Sequence, residues 1–360
     1  MSEKKTILHI IDNMGRGGAE VMLVKVLKEL KEYYNIVVTL NPQNHFGEEL
    51  VCDEYHCLHM GFFFRFPLAV MRLRSVIRKK KIDIVHSHLF TATLVARLGT
   101  PKDIPLVTTI HTNVSASAEY KKGYLHFLEK MSYRRRPGTI IAVSEVVMDA
   151  YYRFFGHTPG KRQVLYTFVD TRETVTDTGI PGEGSGSFRL AAIGALRYPK
   201  NQQFLIRALA RLTNENIELD IYGSGPRHEE LRQLINESGA NVTLKGEVKN
   251  ASSLLSRYDL YVMPSEFEGF SLSILEAMAM GTPMLVSDIP SFREQCADTA
   301  VFFDLTNVDD FIAKLKDLAA DKEKRVRLSQ AAKQRVYDHF TLEHHMAGLR
   351  KIYNETLQNP

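Results

Sequence analysis

Two glutamates eight positions apart, Glu268 and Glu276 in EFEGFSLSILEAMAMGTP (266–283), stand where an apolar strand ending at Met263-Pro264 gives way to a helix expected from about Ser271. A helix that opens behind a glycine, here Gly269, presents unsatisfied N–H groups and the positive end of its dipole, which suits an anion. A carboxylate beside a bound diphosphate would repel it. Each glutamate is therefore suited to accept hydrogen bonds from hydroxyl groups, such as those of a sugar or a ribose. The same pattern also reads as a capped amphipathic helix with two solvated glutamates.

Further clusters follow other strands. Gly15-Arg16-Gly17-Gly18-Ala19-Glu20 comes after the first, where glycines let the backbone approach a phosphate or sugar closely. It is a poor dinucleotide fingerprint, because Glu20 occupies the third glycine position and no acidic residue ends the second strand at Thr39-Leu40-Asn41. His86-Ser87-His88 and His111-Thr112 end two more strands, at the edge where an α/β crevice gathers ligand groups. Zinc would need a fuller set than His86, His88 and His111, and no Cys, Asp or Glu completes it with ligand spacing, so no metal is expected. His86 and His88 read as a structural pair with one ring buried, and His111 as a functional group. Arg197 and Lys200 in GALRYPK (194–200) would, as an isolated pair, be surface charge. The turn YGSGP (222–226) offers a close approach at Gly225 beside which a nucleobase could stack, although a plain β–α turn explains it nearly as well.

The elements that must position these residues are short apolar runs alternating with helical patterns, the mark of repeated βα units and a parallel sheet. In the first half, strands are expected at 6–11, 36–40, 82–87, 106–110, 139–143 and 163–165, with helices such as 19–32 and 67–80 between them. The pattern restarts at 189–193 and continues at 218–222, 242–245, 260–263, 284–286 and 300–303. Between the halves, TRETVTDTGIPGEGSGS (171–187) is rich in Gly, Ser, Thr and Pro, and reads as a linker. The expected architecture is two Rossmann-like domains, 1–170 and 188–340, facing across a crevice, with a C-terminal helix in 341–360 packing back on the first.

Composition agrees with a soluble globular chain of 360 residues, 44% hydrophobic and 24% charged. Three cysteines, Cys52, Cys57 and Cys296, form no framework, and no apolar run is long enough for a signal peptide or a membrane span; the expected location is cytoplasmic. Residues 1–170 carry 24 Lys and Arg against 16 Asp and Glu, whereas the rest carry 22 against 26. Such asymmetry suggests that the first half meets an anionic partner, with basic residues concentrated at 65–81 and 121–136. Arg72, Arg78, Lys79 and Lys80, with Leu68, Val70, Met71 and Ile77, could form a face for an anionic lipid surface, and a solvated helix end explains them equally.

EGFSLSILEAMAMGTP resembles the signature of family 4 glycosyltransferases of the GT-B fold, and the likeness extends through the GGAE loop, His111 and Lys200. The resemblance implies that Glu268 contacts the donor sugar, Glu276 the nucleotide ribose, and the Phe270, Ser271 and Leu272 amides the diphosphate. His111 would line the sugar pocket, with Gly17, Gly18 and Gly225 giving close approach to the donor. Lys200 would neutralise the leaving group with Arg197, since Ala195 stands where many members carry an arginine. Thr167-Phe168 likewise replaces a common Asn-Gly, and there is no Asp-x-Asp to hold a metal-bound diphosphate.

The resemblance therefore implies a retaining, metal- and cofactor-independent transfer from a nucleoside diphosphate sugar, UDP-linked by default. The acceptor would be a glycan or lipid-linked precursor of a surface polysaccharide. Alternatives are a sugar-nucleotide 2-epimerase of the same fold and a non-catalytic nucleotide-sugar-binding subunit. A phosphorylase would need pyridoxal phosphate, for which nothing speaks.

Overall fold

The structure, a computed structural model, describes residues 4–114, 123–156, 160–172 and 186–358. Residues 173–185, most of the expected linker, and Lys121 and Lys122 of the second basic stretch lie outside the described residues. The chain divides into two compact units, one running to Thr167 and resuming at Glu343, the other Phe168–Leu342.

The first unit runs β1 (Thr6–Ile11), α1 (Gly18–Glu29), β2 (Tyr34–Thr39), β3 (Glu54–Cys57), α2 (Phe66–Lys79), β4 (Ile84–His88), α3 (Phe90–Gly99), β5 (Leu106–Ile110), α4 (Gly123–Arg135), β6 (Thr139–Ala142), α5 (Glu145–Phe155) and β7 (Arg162–Val164). Its strands form one sheet in the order β3-β2-β1-β4-β5-β6-β7, every pair parallel. Strands such as LVTTI (β5) are buried along their whole length, as a parallel sheet covered on both faces requires. Alternation along β1 sends Leu8 and Ile10 into the core shared with α2 and α3, and His9 and Ile11 to the opposite face.

The second unit runs β8 (Phe188–Ile193), α6 (Gln202–Leu209), β9 (Ile217–Tyr222), α7 (His228–Ser238), β10 (Val242–Gly246), β11 (Leu260–Met263), α8 (Leu272–Met280), β12 (Met284–Ser287), α9 (Pro290–Cys296), β13 (Val301–Phe303), α10 (Val308–Ala320) and α11 (Lys322–His339). Its sheet, β10-β9-β8-β11-β12-β13, is again wholly parallel. In both sheets the order reverses beside the first strand, which is where α/β folds open a ligand crevice. The last helix, α12 (Leu342–Gln358), belongs to the first unit from Glu343 onward. Among the described residues, no helix is long and apolar enough to cross a membrane.

The expected strands are present with ends shifted by one or two residues, and both sheets confirm the doubly wound reading. The edge strand β3 was not among the expected ones; its sequence, EYHC, has none of the apolar run that marked the others. The apolar face expected on α2 is corrected. Val70 and Ile77 are buried with Ala69 and Leu73 in the core, and only Leu68 and Met71 of the named apolar residues are exposed.

Candidate functional site

In the second unit, three loops meet at the C-terminal edge of the sheet. The loop after β8 and the turn after β9 pack backbone against backbone. A Cβ on Gly223 would run into the Gly194 carbonyl oxygen, and one on Gly225 would lie 2.5 Å from that of Leu196. Glycine is therefore dictated at both positions by loop packing, whatever else the turn holds. The loop after β11 joins them through Glu266 N–H, which donates to the Pro199 carbonyl at 2.9 Å.

That join brings Lys200 and Glu268 together. Lys200 Nζ lies 2.6 Å from Glu268 Oε1, both side chains about one-sixth exposed, and Ser265 Oγ donates to the same oxygen at 2.8 Å. Behind them α8 opens at Leu272 and ends at Gly281, which takes the left-handed conformation (φ 72°). Six of its nine residues are buried, and Glu276, half-buried, is the one charged residue along it. Beneath both glutamates lies Tyr261, fully buried on β11. Burial above all, then the negative charges of Glu276 and Glu268, push its phenol well above the usual range. One buried hydroxyl thus senses both carboxylates.

The amides at the head of α8 are not all alike. Ser271 N–H donates to Gln295 Oε1 at 3.0 Å, and Gln295 Nε2 donates back to the Ser271 carbonyl at 2.8 Å. Gln295 is completely buried on α9, so this clamp fixes the first turn and occupies one of the three amides expected to face a diphosphate. The Leu272 N–H begins the helix, where no intrahelical acceptor exists. Arg197 is exposed. Arg227 escaped the reading of the sequence: it is buried two residues beyond Gly225, stacked over Tyr198 at 4.1 Å and paired with Glu230, and its Nη1 has no hydrogen-bond partner among the described residues.

The first unit contributes a histidine cluster. Parallel register sets His9 beside His86, and His88 follows on the same face of β4. The His86 and His88 rings are 4.2 Å apart, and His88 Nδ1 shares a hydrogen bond with His111 Nε2 at 3.2 Å. His86 is bonded on both sides, to the Tyr353 hydroxyl of α12 at 2.6 Å and to Thr109 Oγ1 at 2.7 Å. Both rings of the pair are buried, where one was expected to be. Burial lowers the imidazoles of His9, His111 and His345 to about 4 and those of His86 and His88 well below their usual value, so all five are neutral at pH 7. Nitrogens of His9, His86 and His88 come within 4.8 Å of one another, a trio in which His9 stands where the sequence suggested His111. A metal there would have to displace a hydroxyl from His86, whose two ring nitrogens are both engaged. At the start of α1, Gly17 precedes the helix and Gly18 begins it. The Glu20 carboxylate folds over this end, 2.5 Å from where a Gly17 Cβ would stand, and burial raises its carboxyl.

Comparison with known proteins places these features. Residues 16–173 match the model of Glycosyltransferase Family 4, and residues 177–335 that of Glycosyl transferases group 1. An uncharacterized glycosyltransferase of Methanocaldococcus jannaschii is 27% identical over 310 residues, 79% of this chain and 76% of that protein. The capsular polysaccharide biosynthesis glycosyltransferase CapH of Staphylococcus aureus is 24% identical, over 80% of this chain and 82% of its own. Among solved structures, Anabaena HepE in complex with UDP and glucose superposes with a TM-score of 0.84 at 18% identity, covering 98% of this chain and all of that one, a likeness of fold. The two family models abut across both units, the paired glutamates and Lys200 fall inside the second, and the chain is a family 4 glycosyltransferase of the GT-B fold.

Proposed function

We propose that this chain transfers a sugar from a nucleoside diphosphate sugar, UDP-linked, to a glycan or lipid-linked acceptor in polysaccharide assembly, with retention at the anomeric carbon and without a metal. The observation that carries the reading is the Lys200–Glu268 pair at 2.6 Å, at the head of α8 with Glu276 about one turn along it. One cation and a helix N-terminus suit a diphosphate, and two carboxylates suit hydroxyls. The choice of UDP draws on HepE, which was solved with UDP and glucose, and the class of acceptor on CapH.

In this mechanism the bond from the anomeric carbon to the phosphate oxygen breaks while the acceptor oxygen approaches from the same face. The acceptor proton passes to the leaving phosphate oxygen. Lys200, Arg197 and the Phe270 and Leu272 amides stabilise the charge that grows on the diphosphate; the Ser271 amide is engaged by Gln295. Glu268 and neutral His111 orient the sugar, and Glu276 holds the ribose. Gly17, Gly18 and Gly225 allow the backbone to approach the donor. Arrival of the donor must loosen Lys200 from Glu268, turning an internal ion pair into two contacts with substrate.

Activity should survive EDTA, and an α-linked donor should give an α-linked product. The anomeric proton signal of the product decides: a β product from an α donor, or loss of turnover with EDTA restored by a divalent cation, overturns the mechanism.

A further inference from the structure

Among the described residues, eight of the exposed large apolar side chains fall in two short stretches of the first unit. Phe62 is 70% exposed, Phe64 74% and Met71 65%, with Phe63 and Leu68 exposed among them; on α4, Phe127 is 61% exposed and Tyr124 and Met131 are exposed too. The two stretches touch, since the Phe63 and Tyr124 rings meet edge to face at 6.5 Å. Phe62 and Phe64 stack at 5.8 Å, and the Arg65 guanidinium lies 5.7 Å from the centre of the Phe64 ring. A soluble monomer rarely leaves such a patch uncovered without a use for it.

Among the described residues of these two stretches, exposed charge has one sign. From Gly61 to Ile82 the chain has seven basic residues and no acidic one. On α4, Arg134 and Arg135 are exposed, while Glu129 is buried against Arg97. The patch is also an end-on feature. α2 and α4 both begin here, at the edge of the sheet where the parallel strands finish, and the cations Arg72, Arg74, Arg78 and Lys79 follow down the exposed side of α2.

We infer that Phe62–Phe64, with Leu68, Met71, Tyr124 and Phe127, form a wedge that enters the headgroup and acyl boundary of an anionic phospholipid bilayer, the flanking arginines and lysines meeting lipid phosphates. Aromatic rings at the tip and cations behind them match an interface that is apolar within and negative at its surface. A groove for a protein partner would carry exposed acidic rim residues as well as basic ones, and among the described residues of these two stretches there are none. Bound in this way, the enzyme presents the strand ends that carry His111 to the membrane, where a lipid-linked acceptor is confined. That last consequence rests on the transferase reading; the binding itself does not.

The chain contains no tryptophan, so Phe64→Trp places a single reporter at the tip. In the full-length protein with vesicles of phosphatidylcholine and phosphatidylglycerol, emission from the introduced indole should shift to the blue and be quenched by brominated acyl chains. Flotation should require the anionic lipid. Phe62→Ser with Phe64→Ser should weaken partitioning at least about tenfold for each ring lost, from the transfer free energy of a phenylalanine side chain, with thermal unfolding unchanged because both rings are exposed. Equal binding to neutral vesicles, unquenched indole emission in Phe64→Trp protein that floats, or full binding by the double serine variant overturns the insertion. So does a blue shift that follows protein concentration without lipid, which would assign the patch to a second copy. None of these readings uses a sugar donor, so failure of the wedge and failure of the transferase reading remain separate.

Discussion

In the proposed mechanism, Lys200 acts on charge that exists fully only once the glycosidic bond has begun to break. Lys200→Ala should therefore lower kcat by about 10²-fold, the scale for removing a preorganised electrostatic group. Glu276 is proposed to meet a part of the donor that does not react, so Glu276→Gln should chiefly raise the donor KM. Glu268 should fall between, since the sugar it is proposed to grip changes shape in the transition state. Steady-state kinetics on the three variants decides, and equal effects on kcat would refute the division of roles. Arg197→Ala is the diagnostic case: a loss like that of Lys200→Ala makes it the second diphosphate cation, and wild-type kinetics makes it a surface residue. Spacing made the glutamates and Lys200 legible, because chain neighbours fix them to one turn and one helix. Gln295 was not legible. It reaches Ser271 from 24 positions away, and nothing local marks a glutamine as a clamp. Tyr261 and Arg227 were hidden for the same reason, each taking its meaning from loops that only the fold brings together.

Among the elements, α3, α4 and α5 are joined by a buried network that the sequence did not disclose. Arg97 Nη1 lies 2.6 Å from Glu129 Oε1, and the Tyr151 hydroxyl donates to the same carboxylate oxygen at 2.5 Å. Arg97 and Glu129 are almost completely buried, so removing one partner strands the charge of the other. Glu129→Ala should cost about 3–5 kcal/mol of stability, whereas Arg97→Met with Glu129→Leu should recover most of it by filling the space with apolar groups. Urea midpoints for the two variants test this; a double variant as unstable as the single would count against it. Period alone made most elements readable, since buried parallel strands are continuous apolar runs. The rule failed where tertiary context overrode pattern. At β3 an edge position tolerates EYHC, and on α2 the inward face is set by which side meets the sheet, so that Val70 and Ile77 go into the core while Met71 stays outside.

For the molecule as a whole, the two units differ in how they should answer to acid. His9, His86, His88, His111 and His345 all belong to the first unit, and burial holds each imidazole neutral in the fold, its pKa lowered to about 4 for His9, His111 and His345 and well below its usual value for the other two. In the unfolded chain the same rings take up protons near their ordinary value of about 6.5. The unfolded state therefore binds more protons between roughly pH 6.5 and 4, and stability present above that window is lost as pH falls through it. Each ring contributes up to about 1.4 kcal/mol per pH unit, so five acting together would exhaust an ordinary domain's stability within about two units. In calorimetry from pH 7.5 to 5, a range that runs from above the window well into it, the transition of the first unit should drop steeply while that of the second holds. His9→Leu should flatten the slope by about one proton, since burial outweighs the contact of the His9 ring with Asn35 in setting its protonation. Transitions that shift in parallel, or a slope untouched by His9→Leu, would show that these rings do not govern the acid limit. Because His111 is hydrogen-bonded to His88 of the same cluster, the histidine proposed to line the donor sugar and the acid sensitivity expected of the unit share one cause, imidazoles gathered beside β1 and β4 where burial keeps them neutral.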